Sequence, residues 1–314
     1  MGENMINIIG KRYWFFLISA LVIVPGIVSL IVFGLKPSND FQSGTTMTLS
    51  FSPAVQESAL REAVTTAGYP DATIQHSSSG DYFISMREIT SDERVTLQND
   101  LQTSLNSTLT VDNYATTSAS VASQTVRYAI IAVIVAALGI MIYISIVFHR
   151  MPRSTRWGFC AIIALLHDLL VVLGIFSILG WVLGIKIDAL FITGMLTVAG
   201  YSVHDTIVVF DRIRENMTKA TIKDFEQVVN FSINETFVRS LNTSLTVVFV
   251  LFALFLLGGS TIHWFVLVLL IGVITGTYSS ICNASALLVV WENHEWRRFI
   301  SWIPGVPKTN KIAS

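Results

Sequence analysis

The chain has 314 residues, of which 52% are hydrophobic and only 13% are charged, and its mean hydropathy is +0.62. A soluble domain carries roughly a quarter charged residues, so the composition predicts a membrane protein. The formal net charge of −1 argues against a nucleic-acid partner. Cys160 and Cys282 lie far apart in apolar runs, which indicates buried reduced thiols and neither a disulfide nor a metal site.

Six apolar segments are long enough to cross a bilayer, which requires about 20 residues. They cover residues 13–33, 128–148, 158–183, 189–210, 240–262 and 264–290. Lysine and arginine concentrate after the second, fourth and sixth segments, which places both termini in the cytoplasm. The predicted organisation is a cytoplasmic N-terminus with the first helix (1–35), an extracytoplasmic domain (36–125), five further membrane helices (126–291) and a cytoplasmic tail (292–314).

The segment 36–125 is too polar to span a membrane, and its pattern predicts a small folded domain. Residues 45–52 favour a strand, and Pro53 opens a helical pattern that ends before Gly68. Residues 72–77 and 81–88 alternate in polarity and indicate a hairpin. Thr90 followed by Glu93 is typical of a capping box at the start of a second helix, and residues 108–114 favour a last strand. The order β-α-β-β-α-β predicts a ferredoxin-like α+β domain with a binding or mechanical role.

Two His–Asp pairs interrupt the apolar segments: His167 and Asp168 in the third, and His204 and Asp205 in the fourth. A carboxylate at the centre of a membrane helix costs roughly 2.5–3.5 kcal/mol, so it normally faces the bundle interior and has a partner or a function. Gly194, Val198, Tyr201 and Asp205 share one helical face. Two further stripes face this one in our interpretation: Arg239, Asn242, Thr243 and Thr246 on the fifth segment, and Gly272, Gly276, Ser279 and Asn283 on the sixth.

Asp205 and Arg239 fall at similar depth on consecutive antiparallel helices, and we infer an interhelical ion pair that forms and breaks. A carboxylate that alternates between such environments can take a proton from one side and release it to the other. Alternatively, Asp205 is permanently paired and purely structural, and Arg239 extends its side chain to the cytoplasmic interface. His167 and Asp168 either assist a proton relay or simply hydrogen-bond a neighbouring helix. Because adjacent residues on a helix point about 100° apart, the two pairs do not favour a metal site.

The stretch GYSVHDTIVVFDRIREN (200–216) closely resembles the fourth-span motif of the SecD/SecF family, which belongs to the RND superfamily. NDFQSGTTM (39–47), ALLHDLLVVLGIF (164–176) and SINETFVRSLNTSLT (232–246) are similar to further motifs of that family. The chain differs from the family pattern in three places: Ser43 replaces the first glycine of a pair, His204 replaces the usual asparagine, and SVASQTV (120–126) lacks the expected glycines. The histidine adds a second group that titrates near neutrality.

The resemblance implies a six-helix membrane subunit of the Sec preprotein translocase that is not an enzyme and needs no cofactor or metal. It implies pairing with the homologous SecD, association with the SecYEG channel, and contact with the exported polypeptide. The cytoplasmic ATPase would act only indirectly. By matching position, Asp205 and Arg239, together with His204, would couple the proton or sodium gradient to late steps of export across the bacterial cytoplasmic membrane. The alternative is a structural subunit that stabilises the translocase without ion coupling.

Overall fold

The computed structural model describes residues 6–38, 40–76, 80–149, 151, 154–219 and 224–295, with only the backbone at 260 and 261. These residues form two compact units. One comprises residues 37–132 and 186–189, and the other comprises the remaining segments. The tail beyond 295, the Ser77–Ser79 part of the hairpin turn, and Arg150, Arg153 and Lys223 of the predicted basic loops lie outside the described residues. Asn39 of the NDFQSGTTM motif does so as well.

The smaller unit contains a four-stranded antiparallel sheet with two helices, as predicted. In chain order its elements are β1 (Gly44–Ser52), α2 (Glu57–Thr66), β2 (Thr73–His76), β3 (Tyr82–Met86), α3 (Ser91–Leu105) and β4 (Thr108–Thr117). The spatial order of the strands is β2-β3-β1-β4, and every neighbouring pair is antiparallel. Alternating residues of the strands and one face of each helix enclose an apolar core that includes Met47, Leu49, Leu60, Ile84 and Leu101. The ferredoxin-like prediction is therefore confirmed.

Of the two predicted helix starts in this unit, one is confirmed and the other is wrong. The capping box is present, because Thr90 Oγ1 accepts from the Glu93 amide while the Thr90 amide donates to the Glu93 carboxylate at 2.8 Å. The prediction that Pro53 opens the first helix was wrong, since α2 begins at Glu57. The carbonyls of Pro53 and Val55 instead accept hydrogen bonds from Ser107 and Tyr82, which hold this segment against neighbouring elements.

The larger unit consists of long apolar helices. In chain order they are α1 (Arg12–Val32), α4 (Ala119–Val147), which extends into it from the smaller unit, α5 (Ser154–Leu183), α6 (Ala189–Thr218), α7 (Phe225–Leu257), α8 (Ser260–Tyr278) and α9 (Ser285–Glu292). A π-helical turn, Ser279–Ala284, joins α8 to α9 in one continuous span. Within the described part of the chain, six helical segments have the length and apolar composition to cross a membrane. The six-helix prediction is confirmed.

The fifth span differs most from its predicted bounds of 240–262. Helix α7 starts at Phe225, where the Asp224 carboxylate caps it by accepting from the Glu226 amide, and it ends at Leu257 before two glycines. The polar stretch 225–239 is therefore helical too, because residues such as Val228, Val229 and Ile233 bury their side chains in the main apolar core.

Glycines let the helices approach closely at two contacts. Gly26 of α1 and Gly174 of α5 face each other so tightly that a Cβ built on Gly174 would lie 2.6 Å from the Gly26 Cα. Gly272 and Gly276 of α8 face Val198 and Ser202 of α6. The predicted small-residue seam on the sixth span therefore packs against the helix that carries Asp205.

Candidate functional site

Asp205 lies inside the helix bundle with an incomplete set of hydrogen bonds. Its side chain is 7% exposed, and among the described residues its Oδ2 atom has no hydrogen-bond partner. Ser240 of α7 faces it, but the geometry falls short of a hydrogen bond, and the Ser240 hydroxyl is likewise unpartnered in the described part of the chain. A buried carboxylate oxygen without a donor is energetically costly.

The inferred Asp205–Arg239 ion pair is not formed in this structure. Arg239 is exposed and makes no ion pair with any described residue. The reason is that a different face of α7 is buried. The buried stripe of this helix runs through Ser232, Thr236, Ser240 and Ser244, and Arg239 precedes Ser240 by one position, which is about 100° around the helix.

The other residues of the predicted α7 stripe share the orientation of Arg239. Asn242, Thr243 and Thr246 are all exposed on this chain, and Thr243 uses its hydroxyl to bond the Arg239 carbonyl. His204 on α6 is exposed as well. The structure thus separates four predicted site residues, His204, Arg239, Asn242 and Thr243, from the buried face that contains Asp205.

A polar cleft of about 500 Å³ lies between the end of α6 and the first half of α7. Its lining is rich in charge and consists of Val208, Asp211, Arg212, Glu215, Glu235, Thr236 and Arg239. Arg212 bridges Glu215 and Glu235, each at 2.5 Å. Thr236 at this cleft precedes Ser240 by one helical turn, and Arg239 is part of its polar lining.

Tyr201 links three helices near the site. Its hydroxyl donates to Ser244 of α7 at 3.1 Å, and Thr277 of α8 donates to the same serine at 2.6 Å. The predicted face of α6 is therefore divided. Gly194 and Val198 pack against α8, whereas Tyr201 turns to α7.

The first His–Asp pair occupies a different kind of environment from the second. Asp168 is 0% exposed and accepts hydrogen bonds from Ser202 of α6 at 2.5 Å and from Ser279 of the π-turn at 2.7 Å. His167 Nδ1 lies 2.9 Å from Asp168 Oδ1, and His167 Nε2 lies 3.0 Å from the Ser19 hydroxyl of α1. Although they are adjacent on one helix, the two side chains bond each other and tie α5 to three neighbouring segments.

The sequence alone did not predict that serine and threonine residues belong to the site. Ser19, Ser240, Ser244 and Thr277 all occupy buried positions between helices. A single serine or threonine in an apolar span carries little signal, because its hydroxyl can bond its own helix carbonyl. Among the described residues, no group of three His, Cys, Asp or Glu side chains lies close enough to hold a metal ion.

Comparisons with known proteins agree with this architecture. Residues 88–294 match the family model "Protein export membrane protein SecD/SecF, C-terminal", and residues 28–55 match the "SecD/SecF GG Motif". The chain belongs to the SecD/SecF family. The translocase subunit SecF of Thermobaculum terrenum is 46% identical over 94% of this chain and 96% of its own length. SecF of Anaerolinea thermophila is 40% identical, again over 94% of this chain and over 97% of its own length.

A fused relative and a solved structure extend the comparison. The translocase subunit SecDF of Bacillus subtilis is 34% identical over 92% of this chain, which spans only 38% of the relative. The crystal structure of SecDF from Thermus thermophilus, described as a translocon-associated membrane protein, superposes with a TM-score of 0.81 at 31% identity over 93% of this chain and 39% of that chain. The relatives are named as translocase subunits and not as catalytic enzymes. The chain is thus a multi-pass membrane protein with a role in protein export.

Proposed function

We propose that this chain uses an ion gradient, of protons or of sodium, to drive late steps of polypeptide export across the bacterial cytoplasmic membrane. Asp205 is the ion-binding group in this proposal. The observation that carries it is the buried Asp205 carboxylate oxygen that no described donor satisfies. A second carboxylate in the same bundle, Asp168, has three hydrogen bonds. The unbonded oxygen of Asp205 is therefore not a general property of acidic residues in this membrane unit.

Arg239 acts as the movable counter-charge. In the described conformation Ser240 faces Asp205 and Arg239 points outward. A rotation of α7 by one residue, about 100°, would exchange the hydroxyl for the guanidinium and pair the two charges. Loading of Asp205 with a proton would weaken that pair and favour the conformation seen here. In this proposal, His204, which is exposed beside Asp205 on α6, accepts or releases the proton at the surface of the chain.

The energy of one ion is sufficient for such a change. One elementary charge that crosses 100 mV supplies roughly 2.3 kcal/mol. Two conformations of a protein typically differ by a few kcal/mol. One ion per cycle therefore biases the bundle toward one conformation, and no covalent chemistry is required of the protein.

The partners follow from the family. The Bacillus subtilis relative carries SecD and SecF in its name, and this chain spans 38% of its length, which supports a separate SecD chain as the missing half. We infer a heterodimer with SecD that associates with the SecYEG channel and contacts the exported polypeptide, with the ATPase acting only indirectly. Both termini are cytoplasmic, and residues 36–125 lie on the outer side.

The decisive experiment is polypeptide export into vesicles that carry wild-type protein or Asp205→Asn, with and without an imposed ion gradient. We expect the gradient-dependent part of export to be lost in Asp205→Asn, while assembly with the partner and abundance remain normal. Asp100→Asn makes the same chemical change on an exposed part of α3 and should behave as wild type.

The competing role is a subunit that stabilises the translocase without ion coupling. It predicts that Asp205→Asn combined with Arg239→Gln leaves gradient-dependent export intact. Full gradient-dependent stimulation in Asp205→Asn would refute ion coupling at this residue and leave the structural role.

A further inference from the structure

The hydrogen-bond network around His167 continues beyond the pair itself. The Ser19 hydroxyl of α1, which bonds His167 Nε2 at 3.0 Å, also lies 2.8 Å from the Asn283 side-chain amide of the π-turn. The full chain therefore runs Asn283–Ser19–His167–Asp168, and Ser202 and Ser279 complete the Asp168 end. Four segments of the membrane unit, α1, α5, α6 and the π-turn, contribute to it.

Charge balance favours a proton in this network. Asp168 is fully buried, and among the described residues its only ionisable contact is His167. An ionised carboxylate in an apolar interior is costly unless hydrogen bonds or a compensating charge stabilise it. Two other titratable groups lie near the pair. Tyr278 of α8 has its ring 6.2 Å from the His167 ring and its hydroxyl beside Ser19. Asp205 lies one turn beyond Ser202 on α6.

The network has two complete hydrogen-bond arrangements that differ by one proton. In the first, His167 is neutral, its Nε2 accepts from the Ser19 hydroxyl, and Ser19 accepts from the Asn283 Nδ2 atom. In the second, the added proton sits on His167 Nε2, which donates to Ser19, and Ser19 donates to the Asn283 carbonyl oxygen after a flip of the amide. The Nδ1–H group of His167 donates to Asp168 in both arrangements.

The hydrogen bonding of Asn283 is compatible with both arrangements of the network. This residue is 4% exposed, and within the described residues its Oδ1 atom has no hydrogen-bond partner. If the amide flips, the Asn283 Nδ2 atom loses its partner and the Oδ1 atom gains one. The number of unsatisfied polar atoms therefore stays the same. Asn283 and Ser279 both belong to a π-helical turn, a feature that occurs frequently at functional sites.

We propose that the His167–Asp168 pair is a second proton-exchanging site of this membrane unit, separate from Asp205. The proton is held on His167 Nε2, and the resulting positive charge on the ring compensates the Asp168 carboxylate bonded to Nδ1. Binding of the proton reverses the Ser19–Asn283 hydrogen bond and thereby connects the protonation state to the contact between α1 and the π-turn. The site does not depend on ion coupling at Asp205.

The test is nitrogen-15 NMR of histidine-labelled protein in lipid bilayers, because the shifts of the two ring nitrogens report the position of the proton. His167→Gln assigns the signal, and sequential correlations to Leu166 and Asp168 assign it in the unaltered chain if that variant does not accumulate. As the pH is lowered from about 9 to about 5, we expect the Nε2 signal of His167 to change from the unprotonated to the protonated position while Nδ1 stays protonated.

Ser19→Ala removes the Nε2 partner and should displace the Nε2 signal. The matched control is Ser29→Ala, because Ser29 also bonds across the contact between α1 and α5, to Ser177, but lies outside the network. Asp205→Asn should leave the His167 titration in place whether or not export depends on Asp205. A His167 Nε2 signal that stays in one protonation state over the whole pH range would overturn the proposal.

Discussion

The same dipeptide, His–Asp, produces two different sites in this chain. At positions 167 and 168 both side chains are enclosed and bonded to each other, whereas at 204 and 205 the histidine is exposed and the carboxylate is buried. The difference arises from the neighbours. Ser19, Ser202 and Ser279 supply donors or acceptors around the first pair, whereas Ser240 remains unbonded beside Asp205. Asp168, whose oxygens accept hydrogen bonds, belongs to a defined network, whereas Asp205 has a carboxylate oxygen without a donor.

Another buried charged residue, Arg12 at the start of α1, makes four side-chain hydrogen bonds. Its guanidinium is bonded to Glu226 at 2.8 Å and to Glu295 at 2.7 Å, and it also donates to the Ile9 carbonyl. These contacts connect the start of α1 to the start of α7 and to the residues after α9. The Arg12 and Glu295 side chains are 8% and 11% exposed, so this pair in particular is shielded from solvent.

Arg12→Ala is expected to reduce the free energy of unfolding by about 3 kcal/mol. This value lies at the low end for a broken buried ion pair because Glu226 is one-third exposed. Denaturant titration in mixed micelles measures the change. Arg61→Ala, which breaks the exposed Arg61–Glu57 pair of α2, is the control and should cost less than about 1 kcal/mol. Equal losses in the two variants would contradict a special role for the Arg12 cluster.

At the scale of elements, helix packing depends on where glycine replaces a side chain. A Cβ atom on Gly272 would lie 2.1 Å from Val198 Cγ2 on α6, far inside contact distance. Helix α6 carries Asp205, so this contact fixes the helix that presents the candidate site. Gly200 on the same helix α6 has open space around it, with no heavy atom within 4 Å of a built Cβ.

Gly272→Ala should destabilise the protein by about 1–3 kcal/mol, the usual penalty for overpacking, and lower its thermal unfolding temperature in detergent. Gly200→Ala should be neutral or stabilising by up to about 1 kcal/mol, because alanine favours helix more than glycine does. Adding Val198→Ala to Gly272→Ala removes the two nearest methyl groups and should restore part of the loss. If Gly272→Ala were as stable as Gly200→Ala, the close contact between α6 and α8 would be refuted.

The sequence predicted which helices and strands form better than it predicted which face of each helix is buried. The β-α-β-β-α-β order and the capping box at Thr90 follow from local chemistry, and the six spans follow from apolar length. The buried face of α7 could not be obtained in the same way. Arg239, Asn242 and Thr246 form one polar stripe and Ser232, Thr236, Ser240 and Ser244 another, and both have helical spacing. Only the packing of α7 on α6 and α8 decides that the serine stripe is buried.

At the scale of the whole molecule, the exposed faces of the membrane helices differ in chemistry. Helices α1 and α4 expose large apolar side chains, including Leu21, Ile31, Ile134 and Ile142, as expected for surfaces that contact lipid. Helix α7 exposes the polar stripe Arg239, Asn242, Thr243 and Thr246 in addition to apolar side chains such as Phe249. Polar and charged groups at membrane depth normally face protein or a water-filled cavity. We therefore expect the α7 polar stripe to be covered by a partner in the assembled translocase.

Site-specific photo-cross-linking tests this expectation in cells that produce the chain together with SecD, the partner proposed above. A photoreactive residue at Asn242 should form a covalent adduct with SecD, because the stripe would lie against the other half of the bundle. The same probe at Ile142 of α4, which is exposed and apolar, should give no adduct with SecD, because that face contacts lipid. Adducts of equal yield at both positions, or at Ile142 alone, would show that α7 does not form the partner interface and that Arg239 is exposed for another reason.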